Sequence, residues 1–531
     1  MSPPILIPII GSLASYLLFR LAEALYVELA SPLRNLPGPN GGSLLYGHFR
    51  QLEKDVDITH KWCQEFGRNF QVRGLLNKRE LFTADTRALN HILVNDSIYQ
   101  KGPIAQKILS HFLGNSVLVA EMDEHKRMNP AFGVAQIRQL AEIFNDKSAQ
   151  LRDIWLRQIA AEHGVARIDT YAWLRKATLD IIGQAGFHYD FNALEPKGEP
   201  NELDEAITHL FHSSAARRRA VFRFIRASFP LLSLLPDPGG KVQRDAHETL
   251  LRVSHKLLSD SKAAVKASGS ETSATGRDLL SILVKANMSD DIPDHQRLSD
   301  ADVIAQVPTF LIAGHETTST ATAWVLHALS LHPAIQTKLR GELQTLRSEC
   351  PTMDELNSLP YLEHVIRETM RVYPPVLFTI RTAMTDDVLP LSKPYVDRTG
   401  KLYSTISIPK GTAMRIPVSE VHSDTAIWGD DAHEFRPERW DCVPEAASAV
   451  PSVWANLLTF LAGTHNCIGF RFSLFEMKAL LFALVRAFEF EAALPPGEIS
   501  CAAAPVRRPL VRSEPKAGSQ LPLVVRPVRS S

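Results

Sequence analysis

Cysteine is scarce in this chain. Five residues, Cys63, Cys350, Cys442, Cys467 and Cys501, are spread over 531 positions, odd in number and without a CxxC pair. That excludes a disulfide framework and a paired-cysteine zinc site, and it fits a reducing compartment. Excess charge of one sign is also lacking. The 58 basic and 58 acidic residues cancel, so no long-range field recruits nucleic acid, and any charged docking face is local. No repeat of about 20 to 50 residues recurs, which excludes a solenoid or propeller. No Lys or Arg precedes the apolar amino-terminal run, which argues against a secretory signal peptide.

What is present begins with that run. Ile5 to Phe19 is almost wholly apolar, and LAEALYVELA extends it to Ala30, broken by Arg20, Glu23 and Glu28. A spanning helix needs roughly 20 apolar residues, so residues 1–30 are expected to anchor the chain in a membrane. Arg20 and Arg34 on the carboxyl side place the main body in the cytoplasm. LPGPNGG (36–42) lies in a hinge over 31–42, stiff at its prolines and loose at its glycines. Residues 43–531 then read as one large domain, because no second linker interrupts them. Helical periodicity predicts helices in 137–162, 301–330 and 474–488, and polar ASGSETSATGRD (267–278) a surface loop. Thr379 to Pro417 mixes β-branched residues with turn signals at Asp397–Lys401 and Pro409–Gly411, which predicts short strands. The fold class is mainly α with a smaller β portion.

Three short motifs carry chemistry. FLAGTHNCIGFRF (460–472) sets Cys467 in a turn bordered by Gly463 and Gly469, directly before a helix. A thiolate is a strong, soft metal ligand when it is held in one geometry and given hydrogen-bond donors, and the positive end of the helix lowers its pKa. Taken alone, Cys467 also reads as a small buried hydrophobe. AGHETT (313–318) lies inside an apolar helix, where Gly314 permits a local distortion and Pro308, lacking an amide for the Ile304 carbonyl, predicts a kink. ETMR (368–371) puts Glu368 and Arg371 one turn apart, and FRPERW (435–440) follows. An exposed pair of that kind contributes only a few tenths of a kcal/mol.

Phe460, Gly463, Cys467 and Gly469 together resemble the FxxGxRxCxG signature of the cytochrome P-450 haem-thiolate monooxygenases, fungal membrane-bound members in particular, and the resemblance runs along nearly the whole chain. It implies a cytochrome P-450 fold with a single large haem domain, haem b as cofactor, and Cys467 as the axial iron ligand whose electron donation favours O–O cleavage, with Phe460 packed beside it. Ala313 and Gly314 are implied to open space above the iron, Thr317 to hydrogen-bond dioxygen, and Glu316 to help bring protons from solvent. Arg439 is implied to complete a buried structural triad with Glu368 and Arg371. Arg381 matches a propionate-binding position. His465 stands where Arg is usual and keeps one donor without the fixed charge. In DEHKRMNPAF (123–132), His125 is the expected haem contact, but about one helical turn of the family pattern is missing before Asn129.

The implied activity is insertion of one oxygen atom from O2 into a hydrophobic small molecule, with electrons from NADPH delivered by a cytochrome P-450 reductase. The implied location is the endoplasmic reticulum membrane, single-pass, with the catalytic domain cytoplasmic. Pro103–Val119, Phe310–Ala313 and Val376–Thr379 are expected to line the pocket. Terpenoid, fatty acyl and aromatic substrates stay open, and the fungal cast of the motifs suggests secondary metabolite biosynthesis. A haem-thiolate isomerase or dehydratase, and a non-catalytic haem-binding protein, remain alternatives. The shortened 123–132 segment predicts weaker haem retention than in relatives; normal haem occupancy through purification rejects that expectation.

Overall fold

The apolar amino-terminal run forms helix α1, Pro3–Ala30, in a computed structural model. The structure describes residues 3–121, 129–195, 201–212, 222, 224, 226, 240–267, 278–288, 297–501 and 506–528. At about 1.5 Å per residue the 28 residues of α1 are long enough to span a bilayer, but among the described residues no helix is both long and apolar enough to do so. α1 therefore does not by itself establish the expected anchor. Its last turn is held by charge instead: Glu28 pairs with Arg73 and, at 2.7 Å, with Arg79.

The chain divides into two compact units, Met1–Gly102 with Phe378–Glu420, and Pro103–Leu377 with Val421–Ser531. The first is built on a five-stranded sheet in the order Asn69–Arg73, Arg79–Thr83, Ala413–Pro417, Phe378–Ala383, Tyr99–Gln100. Its pairings are antiparallel except the one joining Arg79–Thr83 to Ala413–Pro417. Phe70 and Phe82, opposite each other in register, stack at 4.2 Å, the kind of cross-strand pair that fixes register. The strands expected between Thr379 and Pro417 are present. They include a hairpin, Asp387–Val396 with Leu402–Ile408, whose turn is closed by Asp397 accepting the Thr399 and Lys401 amides. The 31–42 segment is tied to this sheet, since the Gln71 amide donates to Pro37 O and its side chain to Leu36 O.

The second unit is helical. Its main elements are α2 (Ala141–Ala161), α3 (Thr170–Phe187), α4 (Asp300–Leu331), α5 (Pro360–Val372) and α6 (Phe470–Ala487). The helices expected over 137–162, 301–330 and 474–488 correspond to α2, α4 and α6. The 267–278 loop falls outside the described residues except at its ends. α4 starts at a capping box in which Ser299 and Asp302 each accept the other's amide. It is buried almost all round, its apolar residues interleaved with buried polar ones such as Gln306, Thr309 and Thr322 whose side chains bond carbonyls of the helix itself. It runs unbroken through Pro308, where Thr309 Oγ1 donates to Ala305 O at 3.2 Å and Gln306 Nε2 to Asp302 O at 2.7 Å. α2 meets α6 edge-on, with Phe144 against both Phe472 and Phe475. A three-stranded sheet, with Pro522–Pro527 between Ala166–Asp169 and Phe488–Ala492, closes the far end.

Glu476 on α6 is fully buried. Burial raises its carboxyl well above the ordinary range, and the Thr318 hydroxyl of α4 is the influence that opposes this. The unfolded chain releases that proton near pH 4 to 5, whereas the folded chain keeps it. The stability held in the neutral carboxyl is therefore complete below that range and is lost as pH rises toward the raised value. Glu476→Gln keeps the shape of the neutral form. As pH rises above 5 its urea midpoint is expected to fall less than that of the wild type, which loses up to about 1.4 kcal/mol per pH unit until the raised value is reached; parallel curves contradict the assignment.

Candidate active site

The approach to Cys467 is a run of tight backbone. Ala455 and Asn456, both with positive φ, turn the chain between the bridged residues Trp454 and Leu457, and Leu461 (φ 58°) and Gly463 (φ 71°) follow. Left-handed conformations cost non-glycine residues roughly 1 kcal/mol or more each, so surrounding contacts must impose them. Val453 N donates to Leu461 O at 3.1 Å and Cys467 N to Phe460 O at 3.0 Å. Phe460 is buried between Trp454 and Phe470, ring centroids 5.4 and 5.9 Å away. Of the two bordering glycines only Gly463 needs its conformational freedom. Gly469 has φ −86°, and a Cβ there would meet Phe132 at an ordinary 3.7 Å.

Cys467 is exposed by its own surface, but protein encloses it closely enough that burial pushes the thiol up to about 11, against the opposing hydrogen bond from the Gly469 amide. The expected lowering of this pKa by α6 is thus reversed: desolvation outweighs the helix end. The group is a neutral thiol near pH 7, and a bound cation is what would convert it to a thiolate.

On α4, every residue from Val303 to Ser330 is buried except Ile312, Ala313, Gly314 and Thr317. Positions three and four apart share a face, so Ala313, Gly314 and Thr317 form one accessible patch of two small residues and a hydroxyl. Thr317 Oγ1 donates to Ala313 O at 2.6 Å. Gly314 packs closely: a Cβ there would lie 3.0 Å from the side chain of Ile182 of α3, which would have to shift. No break in the helix marks the expected distortion. Phe132 connects α4 to the cysteine turn, with its ring 5.2 Å from Phe310 and in contact range of Gly469. Glu316 is committed elsewhere, in a buried ion pair with Arg508, a partner that no local spacing announces.

Glu368 and Arg371 are fully buried and bidentate, at 2.9 and 2.8 Å. Arg439 reaches Glu368 at 3.4 Å but is held more closely by Asp431, at 2.6 Å. Trp440 Nε1 and the Arg436 amide complete the donors around Glu368. The triad is therefore assembled, with Asp431 and Trp440 as members the motif did not reveal. It also reaches the cysteine turn. Arg371 donates to the His422 carbonyl at 2.9 Å, the His422 ring accepts the Leu458 amide at 2.8 Å, and Thr459 Oγ1 donates to Met370 O. Burial, reinforced by Arg371, lowers the His422 pKa to about 3, so the ring stays a neutral acceptor.

The remaining expected contacts are placed as follows. His465 is buried and pairs with Glu121, so its one donor meets a carboxylate of the chain itself. Arg381 is buried in the first unit, donating to Thr379 Oγ1 and Ile380 O at 3.1 and 3.0 Å. His125 lies outside the described residues. Glu368→Ala is expected to lower unfolding stability by about 3 to 5 kcal/mol, because it strands buried guanidinium groups; Asp431→Ala, at a carboxylate 24% exposed, is expected to cost less. Urea denaturation of both variants checks the order, and a loss below about 1 kcal/mol for Glu368→Ala contradicts it.

Residues 36–499 match the family model for Cytochrome P450. Cytochrome P450 monooxygenase 128 of Postia placenta is 48% identical over 528 residues, 97% of this chain and 96% of its own length. Cytochrome P450 monooxygenase 205 of the same fungus is 47% identical, covering 95% of each chain. Cytochrome P450 monooxygenase claU of Ampulloclitocybe clavipes is 30% identical over 94% of each. With a cysteine turn, a small-residue face on the central helix and a buried Glu–Arg–Arg network already in place, matches of this extent show that the chain belongs to the cytochrome P450 family, haem-thiolate monooxygenases whose cofactor is haem b.

Proposed function

We propose that Cys467 supplies the axial thiolate to haem iron and that the Ala313–Gly314–Thr317 face borders the space where O2 and a hydrophobic small molecule react. The observation that carries this reading is the accessible Cys467 sulfur, held by constrained backbone in surroundings that disfavour its free charge. The donor set fits the group. Among the described residues no cluster of three or more His, Cys, Asp or Glu side chains could hold a metal ion, so an iron at Cys467 has to bring its other ligands with it, as a porphyrin does. Bound haem supplies the oxidative chemistry: with two electrons and two protons, one atom of O2 enters a C–H or C=C bond of the substrate and the other leaves as water.

The chain's own residues do the rest. Cys467 gives up its proton on loading, and the Gly469 amide, which already opposes the burial penalty on this sulfur, supports the thiolate. Ala313 and Gly314 keep one side of α4 free of bulk. Thr317 Oγ1, which now donates to Ala313 O, is the hydroxyl able to pass a proton on that side. Glu316 sits beside it, paired with an Arg508 side chain that is 19% exposed, and opening that pair gives protons a route from solvent. His465, Phe460, Gly463, Gly469, Arg381 and His125 are the further cofactor contacts of this reading. Electrons come from NADPH through a reductase. α1 anchors the chain in the endoplasmic reticulum membrane with the catalytic part cytoplasmic. The apolar run Pro375–Phe378 supports a hydrophobic substrate, a terpenoid or other secondary metabolite.

Thr317→Ala is the test. Positioned proton donors contribute about 10²- to 10⁴-fold, so product formed per O2 consumed is expected to fall about tenfold or more, with hydrogen peroxide released instead, while the haem spectrum is unchanged. Unaltered coupling contradicts the role. Product formed without NADPH or O2 contradicts the reaction class.

A further inference from the structure

The carboxyl end of α1 sits in a cluster of arginines that the monooxygenase reading does not use. Glu28 pairs with Arg73 and Arg79. Arg34 and Arg398 stand close by: the pKa of Arg79 is lowered first by its burial, then by the charges of Arg73, Arg34 and Arg398, with Glu28 opposing. Four guanidinium groups thus stand close together, two of them paired with Glu28. Asp397, adjacent to Arg398, is a second carboxylate near this cluster, and its Oδ1 accepts the Thr399 and Lys401 amides and the Thr399 hydroxyl, at 2.6 to 3.0 Å.

Beside these arginines is a cavity of about 210 Å³, lined by Asn40, Gln71, Arg73, Asn77, Arg398 and the Gly41–Gly42 loop. At about 30 Å³ per water it has room for roughly seven, enough for a phosphate group and the atoms next to it. Its walls are braced, with Arg398 Nη2 donating to Gly38 O at 2.9 Å and Arg73 Nη1 to Asn77 O at 3.1 Å. Guanidinium groups match the oxygen geometry of phosphate with paired donors, and the amide side chains of Asn40 and Asn77 add neutral ones.

We propose that this cavity binds phosphate, and specifically the headgroup of an anionic phospholipid, so that the first unit is held against a charged bilayer surface. The choice of a lipid over a soluble phosphate rests on the membrane reading of α1, whose Glu28 pairs with the cavity-lining Arg73; the phosphate chemistry does not depend on that reading.

Flotation of the purified full-length chain with vesicles separates the two. Phosphatidylcholine vesicles report insertion by α1, and the added binding to phosphatidylcholine–phosphatidylserine vesicles reports the cavity. The Arg34→Ala/Arg398→Ala variant is expected to lose that added binding by roughly 30-fold, about fivefold per arginine, with neutral binding unchanged. Glu28→Gln, which removes the competing carboxylate, is expected to strengthen it. A phosphatidylserine increment that persists without neutral binding supports the site while removing α1 as an anchor. Equal anionic binding by the wild type and the double variant overturns the proposal. So does thermal stabilisation of the wild type alone by inorganic phosphate with no phosphatidylserine increment, which would assign the site to a soluble ligand.

Discussion

Desolvation of a single sulfur sets what the second unit has to accomplish. Burial pushes the Cys467 thiol up, and in the proposed reading it ionises when a cation arrives. The turn that presents this accessible sulfur is built with positive-φ residues at 455, 456, 461 and 463. In the proposed reading, loading with haem and deprotonation of Cys467 are one coupled event.

Support for that turn comes from behind it. The Glu368–Arg371–Arg439–Asp431 network is buried, and its value is positional. Arg371 and Met370 reach His422 and Thr459, and those two residues fix the start of the cysteine loop. A neutral His422 is needed because its ring accepts an amide proton, and burial next to a guanidinium keeps it neutral. The α4 side is prepared by exclusion. A long helix buried almost throughout is left accessible at Ile312, two small residues and a hydroxyl, and Ile182 packs closely on position 314.

Much of this was legible in the sequence. Unbroken apolar periodicity located α4 and α6, turn chemistry located the 378–417 strands, and the spacing of Phe460, Gly463, Cys467 and Gly469 marked the turn on which the proposed reading rests. What escaped were partners brought in from far along the chain, such as Arg508 for Glu316, Glu121 for His465, and Asp431 and His422 for the triad, since no local spacing encodes them. The direction of the Cys467 shift escaped for a related reason: a helix start is visible in sequence, whereas the protein packed around the sulfur is not. Pro308 does not end α4, which continues as helix to Leu331.

The most direct test of the thiolate assignment is the absorption spectrum of the reduced, carbon monoxide-bound protein. A Soret band displaced to the red in the wild type, and returned to the position of a non-thiolate haem in Cys467→Ser, is the predicted result. A displaced band that survives this substitution, or a wild-type protein that takes up no haem on reconstitution, contradicts the account.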